Sequence, residues 1–144
     1  MDLKQSDLII HVISKIKRRS DVYLENKLAE AGLKGLVASH GAILSALYAN
    51  SGMLRLTDIA EIIERKKPTV TVLVDRLVKM GIVSRQPSQD DARITNIMLT
   101  PRGYEIKDTL NLIGSDLLAK AFKGLSPGER EACAELLFRI HSNF

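Results

Sequence analysis

Eight lysines and arginines (65, 66, 67, 76, 79, 85, 93 and 102) fall between residues 65 and 102 against three acids, a local charge of +5. The whole chain carries +4, so everything outside that window sums to −1. A positive excess gathered in one stretch is an electrostatic footprint for phosphate groups. Other chemistry-bearing residues are sparse. His11, His40 and His141 have no metal-ligand partner at helical spacing. The single cysteine, Cys133, sits on an apolar stripe, where packing is expected rather than the accessible low-pKa thiolate of a redox sensor. There is no nucleophile elbow, no glycine-rich phosphate loop and no paired-histidine motif. Catalytic residues, metal and cofactor are therefore not expected. The chemistry on offer is binding to an anionic polymer.

The basic residues need a scaffold, and Leu56–Gly103 supplies one. Thr57–Ile63 reads as a short amphipathic helix with Ile59, Ala60, Ile62 and Ile63 apolar and Asp58, Glu61 and Glu64 in water. After Arg65-Lys66-Lys67 a second helix is predicted over Pro68–Met80, with Pro68 at its first position, where a missing N–H costs nothing. Val70, Leu73, Val74 and Leu77 make its apolar stripe, leaving Thr69, Thr71, Val72, Arg76 and Lys79 on the other face. Gly81 stops it. Two strands are predicted, Ile82–Arg85 and Ile94–Leu99, joined by a polar loop with Asp91 and Arg93 at its end. This order is that of a winged helix-turn-helix, whose second helix lies in the DNA major groove while the hairpin reaches an adjacent groove.

The flanks are helical. A long helix is predicted from Asp7 to about Ala31, carrying more apolar surface than one neighbour covers, which points to a second copy of the chain. Gly32–Gly35 is a turn, and Ser39 is the expected N-cap of a helix ending near Asn50. Met53–Leu56 adds a short strand to the hairpin. Thr100-Pro101 caps a long helix that Gly114 interrupts, at a cost of about 1 kcal/mol relative to alanine, with a kink or a close helix approach expected there. Ser126-Pro127 opens the last helix, to about Ile140. With 144 residues and 45% hydrophobic composition, a single domain with helical extensions is expected. The fold class is mainly α with a small β-hairpin wing. Residues 36–103 form the DNA-binding head, and 1–35 with 104–144 form the helical dimerisation region. No apolar run approaches the roughly 20 residues of a membrane span. No signal-like segment is seen in the sequence, so a cytoplasmic protein with no membrane partner is expected.

The ordered set Thr69-Val70-Thr71, Val74-Asp75-Arg76-Leu77, Gly81-Ile82-Val83, Asp91-Ala92-Arg93 and Leu99-Thr100-Pro101-Arg102-Gly103 resembles the MarR family of bacterial transcriptional regulators. The resemblance covers nearly the whole chain. It implies a two-fold homodimer with interleaved N- and C-terminal helices, and two winged heads on a palindromic operator. It also implies repression relieved by a small anionic or aromatic ligand, by a metal or by oxidation. A ligand pocket between head and dimerisation helices follows from it, with Tyr23, His40, Ile43, Leu44 and Leu47 as candidate lining. The family's hydroperoxide sensors use a cysteine in the N-terminal helical region, and this chain has none there.

Physical chemistry assigns roles within that frame. Pro68, Thr69, Thr71 and Val72 sit where base edges come within reach, hydroxyls for hydrogen bonds and methyl groups for thymine. Arg76 is expected to touch a phosphate or pair with a wing carboxylate. Arg93, held by Asp91, is the minor-groove candidate. Lys66, Lys67, Arg85 and Arg102 are expected on the phosphate backbone, positioning without specifying. Many relatives begin this helix with serine and carry arginine further on, where this chain has Pro68 and Val72. The operator sequence therefore does not carry over. The function expected is a dimeric, sequence-specific regulator of transcription, acting on double-stranded DNA and released by a small-molecule effector. The alternative is a winged-helix module for protein interaction with little specific DNA binding.

Overall fold

The computed structural model describes residues 3–144; Met1 and Asp2, at the start of the expected dimerisation segment, lie outside the described residues. After a 3-10 turn at Gln5–Leu8, the elements run α1 (Ile9–Glu30), α2 (Ala38–Ala49), β1 (Met53–Arg55), α3 (Leu56–Ile62), α4 (Lys67–Lys79), β2 (Val83–Pro87), β3 (Thr95–Leu99), α5 (Pro101–Glu105), α6 (Lys107–Ala121) and α7 (Pro127–His141). The sheet is antiparallel in the order β1-β3-β2, with Val83 opposite Leu99 and Pro87 opposite Thr95 in the wing. Met53 pairs with Met98 on the other edge of β3, which confirms the short third strand.

The core lies in the head. Ile43, Leu44 and Leu47 of α2 meet Ile59 of α3, Val70, Val74 and Leu77 of α4, and Ile97 of β3, all fully buried. The apolar stripe expected for the second helix is thus the face that packs. Both helix ends of the helix-turn-helix close in the same way. After α3, Glu64 N–H donates to Glu61 O and Arg65 N–H to Ala60 O, with Glu64 left-handed at φ 54°. After α4, Gly81 N–H donates to Val78 O and Ile82 N–H to Leu77 O, with Gly81 at φ 71°. These are Schellman closures.

Four local expectations are corrected. Ser39 is not the N-cap of α2: Val37 holds that position, and its N–H donates to His40 Nδ1 at 2.9 Å. Pro68 is the second helical residue, not the first, since Lys67 opens α4; its missing N–H still belongs to the unsatisfied first turn. The first wing strand begins at Val83 and runs on to Pro87, two residues past Arg85. The interruption of the long helix falls at Ile106 (φ −83°, ψ −4°), whose side chain packs on the core. Gly114 lies inside α6, and a Cβ there would meet nothing within 4 Å, so it marks neither a kink nor a close approach within this chain.

The flanking helices are bare by contrast. Leu28 is the one buried residue of α1, and α7 has none among its described residues. Ile9, Ile10, Val12 and Ile16 at one end of the chain and Leu136, Leu137 and Phe138 at the other are exposed. Among the described residues no helix is long and apolar enough to cross a membrane.

Candidate nucleic-acid interface

Helix α4 presents its start to solvent because its buried stripe faces the other way. Lys66, Lys67, Pro68 and Thr69 are exposed, as is Val72 at 67%. So large an exposed aliphatic group on a polar face suits contact with a thymine methyl. The Thr71 hydroxyl donates to Lys67 O at 3.0 Å, which leaves its oxygen free to act as an acceptor.

The wing is fixed to this helix by Arg85. Its guanidinium pairs with Asp75 of α4 and donates to Thr71 O at 3.2 Å. Arg85, expected on the phosphate backbone, is in this structure a strap between β2 and α4. Arg76 likewise makes no pair with a wing carboxylate among the described residues. Its guanidinium lies over Gly35, about 3.2 Å from where a Cβ would stand. The loop before α2 occupies the side of α4 from which Arg76 projects, and Asp75, one residue earlier, faces the wing instead.

At the wing tip Arg93 Nε and Nη2 donate to the two Asp91 oxygens at 3.1 and 3.2 Å, and the Arg93 backbone N–H donates to Asp91 Oδ1 at 3.0 Å. These bonds hold the Asp91 carboxyl below its usual range, so it stays ionised under any DNA-binding condition. The Arg93 side chain nevertheless remains 91% exposed. Arg102, on α5, is exposed as well.

The candidate pocket residues fall elsewhere than expected. Ile43, Leu44 and Leu47 are fully buried in the core, His40 is 5% exposed, and Tyr23 lines an outer groove between α1 and α6 with Lys120 over its ring. A solvent-open cavity of about 210 Å³ lies on the other side of α2, against Gly41, Ser45 and Tyr48 of α2, Leu24 of α1 and Leu110 and Gly114 of α6. The more apolar side of α2 is the core side. The small residues Gly41 and Ser45 were the available signal. Cys133 is half-buried and lines an apolar surface groove with Phe122, Leu137 and Phe138.

His40 supplies a test of the head's construction. Its Nδ1 accepts from Val37, so the neutral ring carries its proton on Nε2, which is buried without a partner. Burial, reinforced by the Arg76 charge, lowers its pKa from 6.5. The unfolded chain therefore binds the proton more readily, and stability falls as pH drops below about 6.5. The urea midpoint of the wild type is expected to decline between pH 7 and 5, and that decline is expected to be smaller in His40→Gln. Parallel pH curves for the two proteins would show that His40 carries no linkage.

An exposed helix start beside a clamped cationic wing, on a helix-turn-helix scaffold, defines the winged helix-turn-helix class. The MarR family model matches residues 36–95, the head from before α2 to the start of β3. The chain is 30% identical over 120 residues to the uncharacterized HTH-type transcriptional regulator YkoM of Bacillus subtilis, spanning 82% of this chain and 77% of that one. It is 25% identical to the HTH-type transcriptional repressor IacR of Pseudomonas putida, over 99% of this chain and 83% of the relative. A solved MarR mutant from E. coli in complex with operator DNA superposes with TM-score 0.82 at 22% identity, covering 97% and 99% of the two chains. BpsR of Bordetella bronchiseptica, whose DNA binding is regulated by 6-hydroxynicotinic acid, superposes equally well at 21% identity, over 98% of each chain. The chain belongs to the MarR family of transcriptional regulators.

Proposed function

We propose that this regulator is a homodimeric, sequence-specific repressor that grips a palindromic DNA site, acts in the cytoplasm, and works by binding rather than by catalysis. The observation that carries this reading is the outward face shared by α4 and the wing, where Lys66, Lys67, Pro68, Thr69, Val72 and Arg93 stand exposed while Val70, Val74 and Leu77 on the opposite face of α4 are buried. Pro68, Thr69, Thr71 and Val72 meet base edges in the major groove, and Arg93 enters the adjacent minor groove. Lys66, Lys67 and Arg102 sit on phosphates. Arg85 and Arg76 brace the wing and the α2 side of the head.

Residues 1–35 and 104–144 form the dimerisation part and 36–103 the head. Support comes from the bare apolar faces of α1 and α7, which one chain leaves in water and a second copy covers. Repression follows if the two heads occlude a promoter, and the cavity between α1, α2 and α6 admits a small, mainly apolar effector that releases DNA.

Selection of bound duplexes from a randomised pool at about 150 mM salt, where exposed charges more than roughly 8 Å apart are screened, tests the reading. An enriched palindrome with half-sites about 34 Å apart is expected. A pool without enrichment, together with a monomeric mass by light scattering, would overturn it.

A further inference from the structure

A cleft lies where β1, α4 and the wing meet, and part of its lining falls outside the basic sequence window. Arg55, Thr57, Lys67, Arg93 and Thr95 line a space of about 80 Å³, well below the roughly 300 Å³ of a small-molecule pocket. Arg55 closes β1, Lys67 opens α4, and Arg93 comes from the wing tip, so residues far apart in sequence converge on one point.

Both arginines are held from behind. Arg55 Nε and Nη2 donate to Asp58 at 2.9 and 3.1 Å, as Arg93 does to Asp91. A guanidinium has five N–H groups, and each of these pairs uses two of them, leaving three. Lys67 makes no ion pair among the described residues. Three cations against two carboxylates leave the cleft one net positive charge, the complement of a single phosphodiester. Thr57 and Thr95 add hydroxyl donors at its edge.

We propose that this cleft seats one phosphate of the DNA backbone as it passes from the groove read by α4 to the groove entered by the wing, and that Arg55 is a contact residue of that seat. The inference rests on the DNA-binding reading above. It assigns Arg55 a positioning role: the arginine sets how the head lies on the duplex and reads no base.

The test compares wild type, Arg55→Gln and Lys123→Gln on two short duplexes, one enriched by the wild type from a randomised pool and one with the same bases shuffled. Arg55 is solvent-exposed, so the variant keeps the fold, which its melting curve checks. Arg55→Gln is expected to weaken both duplexes by a similar factor. It is also expected to make the plot of log affinity against log salt shallower by about 0.9 per protomer, the value of one released counterion contact. Lys123→Gln, in the turn after α6, is expected to keep the wild-type slope. A wild-type slope in Arg55→Gln would overturn the proposal. So would an equal change in Lys123→Gln, or a changed preference between the two duplexes. Wild type that binds neither duplex at any salt would instead overturn the DNA reading, and the inference with it.

Discussion

Arg93→Ala is expected to weaken binding to the selected duplex by about 1–3 kcal/mol per protomer, roughly 5- to 150-fold for each head. The side chain is almost wholly exposed, yet two side-chain bonds and one backbone bond to Asp91 hold its fork in one orientation. Little rotamer freedom is then lost on entering a groove, and the loss on truncation falls on the bound state. The loss should be greatest on sites with A·T-rich flanks, where a narrow minor groove concentrates negative potential. Arg93→Lys keeps the charge but not the planar fork, and is expected to recover part of the affinity. A competition titration with the selected duplex decides the matter. Affinity unchanged in Arg93→Ala removes the wing from the mechanism.

The second large effect is on stability. Gly103→Ala is expected to destabilise the protein by about 2 kcal/mol, although alanine is the better helix former by about 1 kcal/mol and Gly103 lies within α5. A Cβ at Gly103 would fall far inside contact distance of the Ile82 carbonyl oxygen, and 3.0 Å from a Leu99 methyl. Neither side can give way easily. The Ile82 carbonyl accepts from the Thr100 N–H at 3.1 Å and from the Thr100 hydroxyl at 3.0 Å. Gly103 is held in turn: its N–H donates to Thr100 Oγ1, and its carbonyl accepts from Tyr48 at 2.5 Å. Burial pushes the Tyr48 phenol up to about 12, so it remains a donor throughout the neutral range. A lower urea midpoint at unchanged slope is the expected result. A midpoint equal to or above the wild type's would show that the junction between wing and α5 has slack.

Much of this molecule follows from local rules. The periodicity of Val70, Leu73, Val74 and Leu77 commits one face of α4 to the core, and its polar opposite face must then meet water or a partner. Gly81 ends α4, Thr100 and Ser126 cap the helices that follow, and Asp91 reaches Arg93 across two residues. Each of these depends on groups within a few positions of one another, so the sequence by itself determines the order helix, turn, helix, hairpin and the cationic wing tip. The apolar excess on α1 was equally legible, and among the described residues Ile9, Ile10, Val12 and Ile16 stay exposed.

What only the tertiary structure decided are the partnerships between residues far apart. Arg85 is a strap because folding brings Asp75 and Thr71 beside it, and Arg76 is turned away because Gly35 leaves room for its guanidinium. Nothing in the spacing of these residues encodes that exchange of roles. The face of α2 that lines the cavity escaped for a related reason. His40, Ile43, Leu44 and Leu47 are the side chains that apolar character singles out, and burial in the core consumes them. The cavity is left to Gly41, Ser45 and Tyr48, small or polar side chains that become pocket lining only because Leu24 of α1 and Leu110 of α6 stand opposite them. Arg55 joined the interface by the same route, since β1 pairs with β3 and so sets the arginine beside the wing. A sequence specifies which faces must be covered, but which long side chains meet across the gap depends on how the elements pack.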